Sequence, residues 1–244
     1  MVYSRAPILE AVLDIQVKLS SLPAESVFKA IATDLEGTFP VHVETNQVRL
    51  SVIMGPSTTG QPVTSAQQLG GGQRLTNTAN DRILVVMSRG MSFSHLAPYS
   101  RWDQFREEAI SAWQKYVEHI KPEGVMRVAL RYINRIWVPS SAVQLQDYFN
   151  LYPELPDTAP ISQFFMQVQV PQPDLGNAMA VVNLSSAGIR EDQAQGIMLD
   201  IDVFAVEELA VDEEVVFARL DQLRLRKNEL FESYITDKSR ELFK

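Results

Sequence analysis

The sequence predicts an α+β fold: a long, mainly antiparallel sheet or sheets with helices packed on one face. Three observations carry this. Apolar residues alternate at period two over unusually long stretches, at residues 9–19, 126–139 and 196–206. Segments with helical apolar spacing follow runs of strands rather than alternating with single strands. Turn dipeptides such as Asn80-Asp81 and Arg89-Gly90 separate neighbouring strand candidates at hairpin spacing.

In chain order, Leu9, Ala11, Leu13, Ile15, Val17 and Leu19 form one face of a strand, with Glu10, Val12, Asp14, Gln16 and Lys18 on the other. Ser21 or Leu22 then caps a helix with Pro23 in its first turn. Val27, Phe28, Ile31 and Leu35 are its stripe, and Gly37 its stop. Val41 to Met54 reads as two short strands or one bent strand turning at Asn46-Gln47, and Gly55 to Gly72 as a mobile loop. A meander follows over 73–78, 82–88 and 91–96. A helix over 101–120 is capped by a Ser100/Asp103 box and ended by Lys121-Pro122-Glu123-Gly124.

Met126 to Pro139 is the central strand. Its core side carries Val128, Leu130, Tyr132, Ile136 and Val138, with Asn134 as the exception. Residues 140–160 form a Pro-rich connector with a short helix over 142–149. Strands over 161–170, 178–184 and 196–206 come next. Asp212 caps a last long helix, and Thr236 recaps the chain for a final turn. Strands-then-helix occurs in 1–139 and again in 161–244, leaving open two similar halves integrated as one unit.

Composition narrows the function classes. Among 244 residues, Asp and Glu outnumber Lys and Arg for a net charge of -8, which disfavours nucleic acid as a partner. The absence of cysteine excludes disulfides, thiolate nucleophiles and Cys-based zinc sites. With no apolar run of membrane-spanning length, the expectation is a cytoplasmic protein without a membrane contact.

Candidate site residues centre on Arg127, Arg131 and Arg135, which share one face of the central strand roughly 13 Å apart at about 3.3 Å per residue. Acids that could meet them are Glu10 and Asp14 on the first strand and Asp200 and Asp202 on a late one. One reading is a cross-strand ladder of charge pairs. The other is a cavity where the guanidiniums clamp phosphate and the acids hold a divalent metal. The alternation Glu10-x-Val12-x-Asp14-x-Gln16-x-Lys18 is sparser in acid than triphosphate tunnel enzymes require. Trp137 and Ile133 share the arginine face, so that face should be covered by a helix, by the second half of the chain or by another chain. His42, His95 and His119 lie in no nucleophile motif, and Gly70-Gly71-Gly72 lacks the Lys-Ser/Thr of a phosphate loop. No metal site and no cofactor are expected. The aromatic residues Phe93, Tyr99, Trp102, Phe105 and Trp113 should, with Trp137, seal the second helix to the sheet. The last helix is expected to turn Arg219, Arg224, Arg226 and Lys227 to solvent in salt-bridging pairs, although its length and apolar stripe equally suit docking across a partner.

Ala6-Pro7-Ile8-Leu9-Glu10-Ala11-Val12, Arg131-Tyr132-Ile133-Asn134-Arg135-Ile136 and Leu230-Phe231-Glu232-Ser233-Tyr234-Ile235-Thr236-Asp237 together resemble a sporadically distributed, uncharacterised bacterial protein family of about this length. The resemblance implies a bacterial cytoplasmic protein of single architecture and brings no activity, cofactor or catalytic residue with it. The leading expectation is therefore a non-enzymatic binding or adaptor protein acting through a protein–protein interface, as a homo-oligomer or with a protein partner. The alternatives are a metal-dependent phosphohydrolase or phosphate binder, and a chaperone-like or antitoxin-like partner of another bacterial protein.

Overall fold

A long first strand with one fully apolar face needs neighbours on both edges, and it finds them at the middle of a nine-stranded sheet. The computed structural model describes residues 3–53, 63–139, 144–154 and 162–244, with 46–53 and 63–70 described by backbone alone. Its strands are β1 (Ile8–Lys18), β2 (Val41–Ile53), β3 (Val63–Thr76), β4 (Arg82–Met87), β5 (Gly90–Leu96), β6 (Gly124–Val138), β7 (Phe165–Gln172), β8 (Ala178–Ile189) and β9 (Gln195–Leu209). Its helices are α1 (Glu25–Asp34), α2 (Trp102–Ile120), α3 (Glu213–Tyr234) and α4 (Asp237–Glu241). The strand order is β2-β3-β4-β5-β1-β6-β9-β8-β7, and every pairing is antiparallel.

The same path is taken twice. From central β1 the chain crosses through α1 to the edge strand β2, meanders inward to β5 and enters α2. From central β6 it crosses to the other edge at β7, meanders inward to β9 and enters α3. β1 and β6 pair at the join, with Leu13 opposite Leu130. Both halves thus contribute to one sheet and one core.

The core lies on one face only. Leu13 and Ile15 of β1, Leu130 of β6 and Ile201 of β9 are fully buried there, each burial stabilising by about 1.5–3 kcal/mol. Against them pack Phe105 and Trp113 of α2 and Phe217, Leu220 and Leu223 of α3, all shut off from solvent. Phe93 stacks on Phe105 at 5.3 Å. Trp137 takes no part in this seal, because it sits on the other side of β6, two residues from Arg135.

Several local expectations change. The chain stays extended through Ala24, so α1 starts at Glu25 and Pro23 precedes it. Arg101, extended at φ -155°, occupies the N-cap of α2. This moves Asp103 one position too early for a capping box, and no side chain caps the helix. Lys121 ends α2 in the left-handed conformation at φ 54°. The caps of α3 and α4 stand as expected: Asp212 accepts from the Val215 N–H, and Thr236 from the Ser239 N–H. β2 is continuous, with a bulge at Gln47/Val48 in place of a turn.

The glycine run belongs to a strand. Gly70, Gly71 and Gly72 lie in β3, while the 55–62 part of the expected loop falls outside the described residues. At Gly72 a Cβ would sit 2.4 Å from the Val86 carbonyl, so the close approach of β4 demands glycine. Residues 145–147 form a single 3-10 turn; of the helix expected over 142–149, the first two residues lie outside the described set. β7 starts at Phe165, and the earlier part of its expected range includes Ile161, outside the described residues.

Gly90 closes the β4–β5 hairpin at φ +153°, and a Cβ there would meet the Ile15 carbonyl of central β1 at 2.2 Å. Gly90→Ala is expected to destabilise by about 2 kcal/mol. Chemical denaturation with an unchanged midpoint would contradict that close approach.

Candidate functional site

Pairing register decides which residues share the helix-free face. Arg131 of β6 stands opposite Val12 of β1 and Asp202 of β9, and Arg127 opposite Gln16 and Val206. Asp14 faces Ala129, and Ile133 lies between Glu10 and Asp200. The arginine row therefore runs down the middle of the sheet with an acidic strand on each side.

The ion pairs follow from that register. Arg127 Nη1 donates to Asp14 Oδ1 at 2.6 Å, and its other amino group lies 3.5 Å from Asp202. Arg131 binds Asp200 with two parallel bonds, at 2.8 and 2.6 Å. Asn183 of β8 donates to the same carboxylate at 2.9 Å and accepts from Gln167 of β7 at 2.7 Å. A connected polar row thus crosses β1, β6, β9, β8 and β7. Asp200 is buried to 5% exposure; Arg131 stays about half exposed. Bidentate geometry of this kind is the stronger form of the guanidinium–carboxylate bond.

Burial and charge pull against each other here. Desolvation holds Asp14 and Asp202 above the usual carboxylate range, with Arg127 pulling both back down. The hydrogen bond to Asp200 raises the Arg131 guanidinium. Asp202 Oδ1 and Arg135 Nε are shut off from water without a hydrogen-bond partner among the described residues. Arg135 joins no ion pair among the described residues. It lies over the Trp137 ring at 4.9 Å, and Arg190 lies over the same ring at 5.1 Å. Glu10 stands in the acidic row of β1 without an ion pair among the described residues.

The structure thus brings Arg127, Arg131, Asp14, Asp200 and Asp202 together, with Glu10 alongside, and leaves Arg135 and Trp137 as a separate stack farther along β6. Among the described residues the arrangement is a ladder on an uncovered sheet face. Two surface hollows of about 320 and 280 Å³ lie elsewhere, the first beside Val17, Ser20 and Arg89, the second beside Lys29, His42 and Gln73. Covering of the arginine face by a helix or by the second half does not occur among the described residues. All four helices lie on the core side or beyond it, and the second half extends the sheet sideways. The reason is topological, since each half ends in a helix that returns over the same face.

The polar network that sequence reasoning missed lies inside the core. Lys227 of α3 is 7% exposed, and its ammonium sits 3.7 Å from the centroid of the Tyr132 ring. No carboxylate pairs with it among the described residues. Burial, assisted by Arg224, pushes it down to about 7, against a weaker pull from Glu232. The Tyr132 hydroxyl meets that of Tyr99 at 2.8 Å, and Tyr99 packs on buried His95 at 4.8 Å. The expected solvent-facing Lys227 is therefore corrected. A signal was present: position 227 continues the stripe Val216, Leu220, Leu223, Leu230 at helical spacing.

Among the described residues, Asp34, Glu118 and His119 form the one grouping whose ligand atoms lie within 4.8 Å of each other. Lys115 already occupies it, at 3.7 Å from Asp34 and 2.8 Å from Glu118.

The three segments carrying the family resemblance are all architectural. The first two are the paired β1 and β6, locked where the Arg135 N–H donates to the Pro7 carbonyl at 2.8 Å. In the third, Glu232 accepts from the Tyr3 hydroxyl at 2.9 Å, and Ile235 bridges to Phe149. Compared with known proteins, the chain matches no family model and no curated relative. No helix among the described residues is long and apolar enough to cross a membrane.

Proposed function

We propose that this protein is a non-enzymatic binding or adaptor protein whose working surface is the helix-free face of its sheet. The observation that carries the reading is the mismatch between the two faces. Helices cover one, while the other presents Val12, Ile133, Met198, Phe204 and Val206 around charges that largely neutralise each other. Val206 is 54% exposed and Phe165, on the edge strand, 70%. Apolar side chains set among charges that are already paired with each other suit a protein-binding surface, whose centre is poor in unpaired charge. Membership of the bacterial family named above and a cytoplasmic setting are part of the same proposal.

The phosphohydrolase reading has less support, because Arg127 and Arg131 engage the carboxylates of Asp14, Asp202 and Asp200 that would have to ligate a metal. A chaperone-like or antitoxin-like role would use the same face and differs only in the partner. The test is Val206→Glu, which adds charge at an exposed position. The variant should stay folded, with an unchanged far-UV spectrum, and lose at least tenfold in association. Divalent-metal-dependent hydrolysis of a nucleotide or polyphosphate by the purified protein, abolished by Arg131→Ala with Arg135→Ala, would overturn the proposal.

A further inference from the structure

We infer that the partner on the open face is a second copy of this chain, related by a two-fold axis that runs parallel to β1 and β6 and lies between the two sheets. This rests on the binding role proposed for that face, and it adds the partner and the geometry.

The charge pattern selects the axis. Across the centre of the sheet the order is β5, β1, β6, β9, with the join between β1 and β6 at the middle. β1 carries Glu10 and Asp14, and β6 carries Arg127, Arg131 and Arg135. A two-fold parallel to these strands exchanges left for right and preserves height along the strand. Each arginine row then lies over the partner's acidic strand, with Asp14 at the height between Arg127 and Arg131. A two-fold perpendicular to the strands would stack β6 on β6, arginine row against arginine row. That arrangement sets like charges opposite each other at the centre of the contact, where water is excluded and repulsion is strongest.

The flanks agree with the first axis. It places β9 over the partner's β5 and β8 over the partner's β4. By register, Val181 of β8 and Ile83 of β4 stand at the same height, that of Arg131 and Val12. Met179 and Val85 share the next height on the same face. β5 contributes the small residues Ser92 and Ser94 where the partner's Phe204 and Asp202 need room. Two sheets stacked this way lie about 10 Å apart and align to within about 30°. With strands about 4.8 Å apart and about 3.3 Å per residue, the face offers roughly 1,000 Å² per copy, above the ~800 Å² of a standard interface. Its central charges, four acids and three arginines, leave little net repulsion between identical faces.

The test uses the full chain, whose lack of cysteine gives a clean background for thiol chemistry. Sedimentation over a concentration series should give twice the 27.5 kDa chain mass, and Val206→Glu should shift the midpoint at least tenfold. Protein carrying Val181→Cys is then mixed with protein carrying Ile83→Cys and treated with a bismaleimide spanning about 10 Å. A cross-linked dimer should form in the mixture and not in either protein alone, where like positions are five strand spacings apart, roughly 24 Å. Cross-linking of the Val181→Cys protein with itself would overturn the proposed axis while keeping self-association through this face. A chain that stays monomeric at every concentration would overturn the second copy as partner and leave the binding role to another protein. A dimer indifferent to Val206→Glu would overturn both, since its contact would lie elsewhere.

Discussion

Lys227→Met should stabilise the protein by about 3 kcal/mol at pH 7, and the gain should shrink as pH rises. The lysine titrates from 10.5 in the unfolded chain down to about 7 in the fold, because α3 holds it in the core beside Arg224 and away from carboxylates. That difference corresponds to about 5 kcal/mol, of which the Tyr132 ring beneath the ammonium returns about 1–2 kcal/mol. Methionine keeps the length of the stem and removes the charge.

Between pH 7 and 10.5 the unfolded chain holds the proton that the folded chain has released. The wild-type protein therefore gains stability with rising pH across this window. The variant lacks that contribution, so the gap between the two should close by about 1.4 kcal/mol per pH unit above 7 and stay constant below it. Denaturant titrations of both proteins from pH 6 to 10 measure the gap directly, and other titrating groups cancel in the difference. A gap independent of pH would mean that Lys227 keeps its proton in the fold.

Arg131→Met is expected to cost about 3 kcal/mol, most of it the penalty for leaving Asp200 charged and buried with Asn183 as its remaining donor. Adding Asp200→Asn should recover most of that loss, because the amide can still bond Asn183 and no longer carries charge. If the single variant unfolds at the wild-type denaturant concentration, the Arg131–Asp200 bond is a solvated surface pair worth under about 1 kcal/mol. The double variant also separates stability from assembly. It restores the fold without restoring the arginine that the proposed dimer sets against a second copy.

Legibility followed the range of the interaction. The faces of β1 and β6 were readable because alternation is a property of consecutive residues. Asp212 and Thr236 were readable as caps because a cap bonds an amide within three residues. Gly72 reads as part of a loop because its reason for being glycine, the Val86 carbonyl, comes from a strand that only pairing brings near. The Ser100/Asp103 box failed by one residue, which local sequence does not fix when tertiary packing sets the entry of α2.

The candidate site divides the same way. That Arg127, Arg131 and Arg135 share a face is a consequence of four-residue spacing in a strand, and the acidic residues on residues 10–14 and 200–202 could be named as their partners. Which acid meets which arginine depended on register across β1, β6 and β9, which no local pattern encodes. Period-two alternation along the chain encodes the fold class, the central strand and an arginine face with apolar neighbours. Tertiary packing decides that α2 and α3 return over the opposite face, so that no described helix covers the arginine face, and that Lys227 enters the core. Both outcomes depend on where distant segments pack, and periodicity along the chain carries no such information.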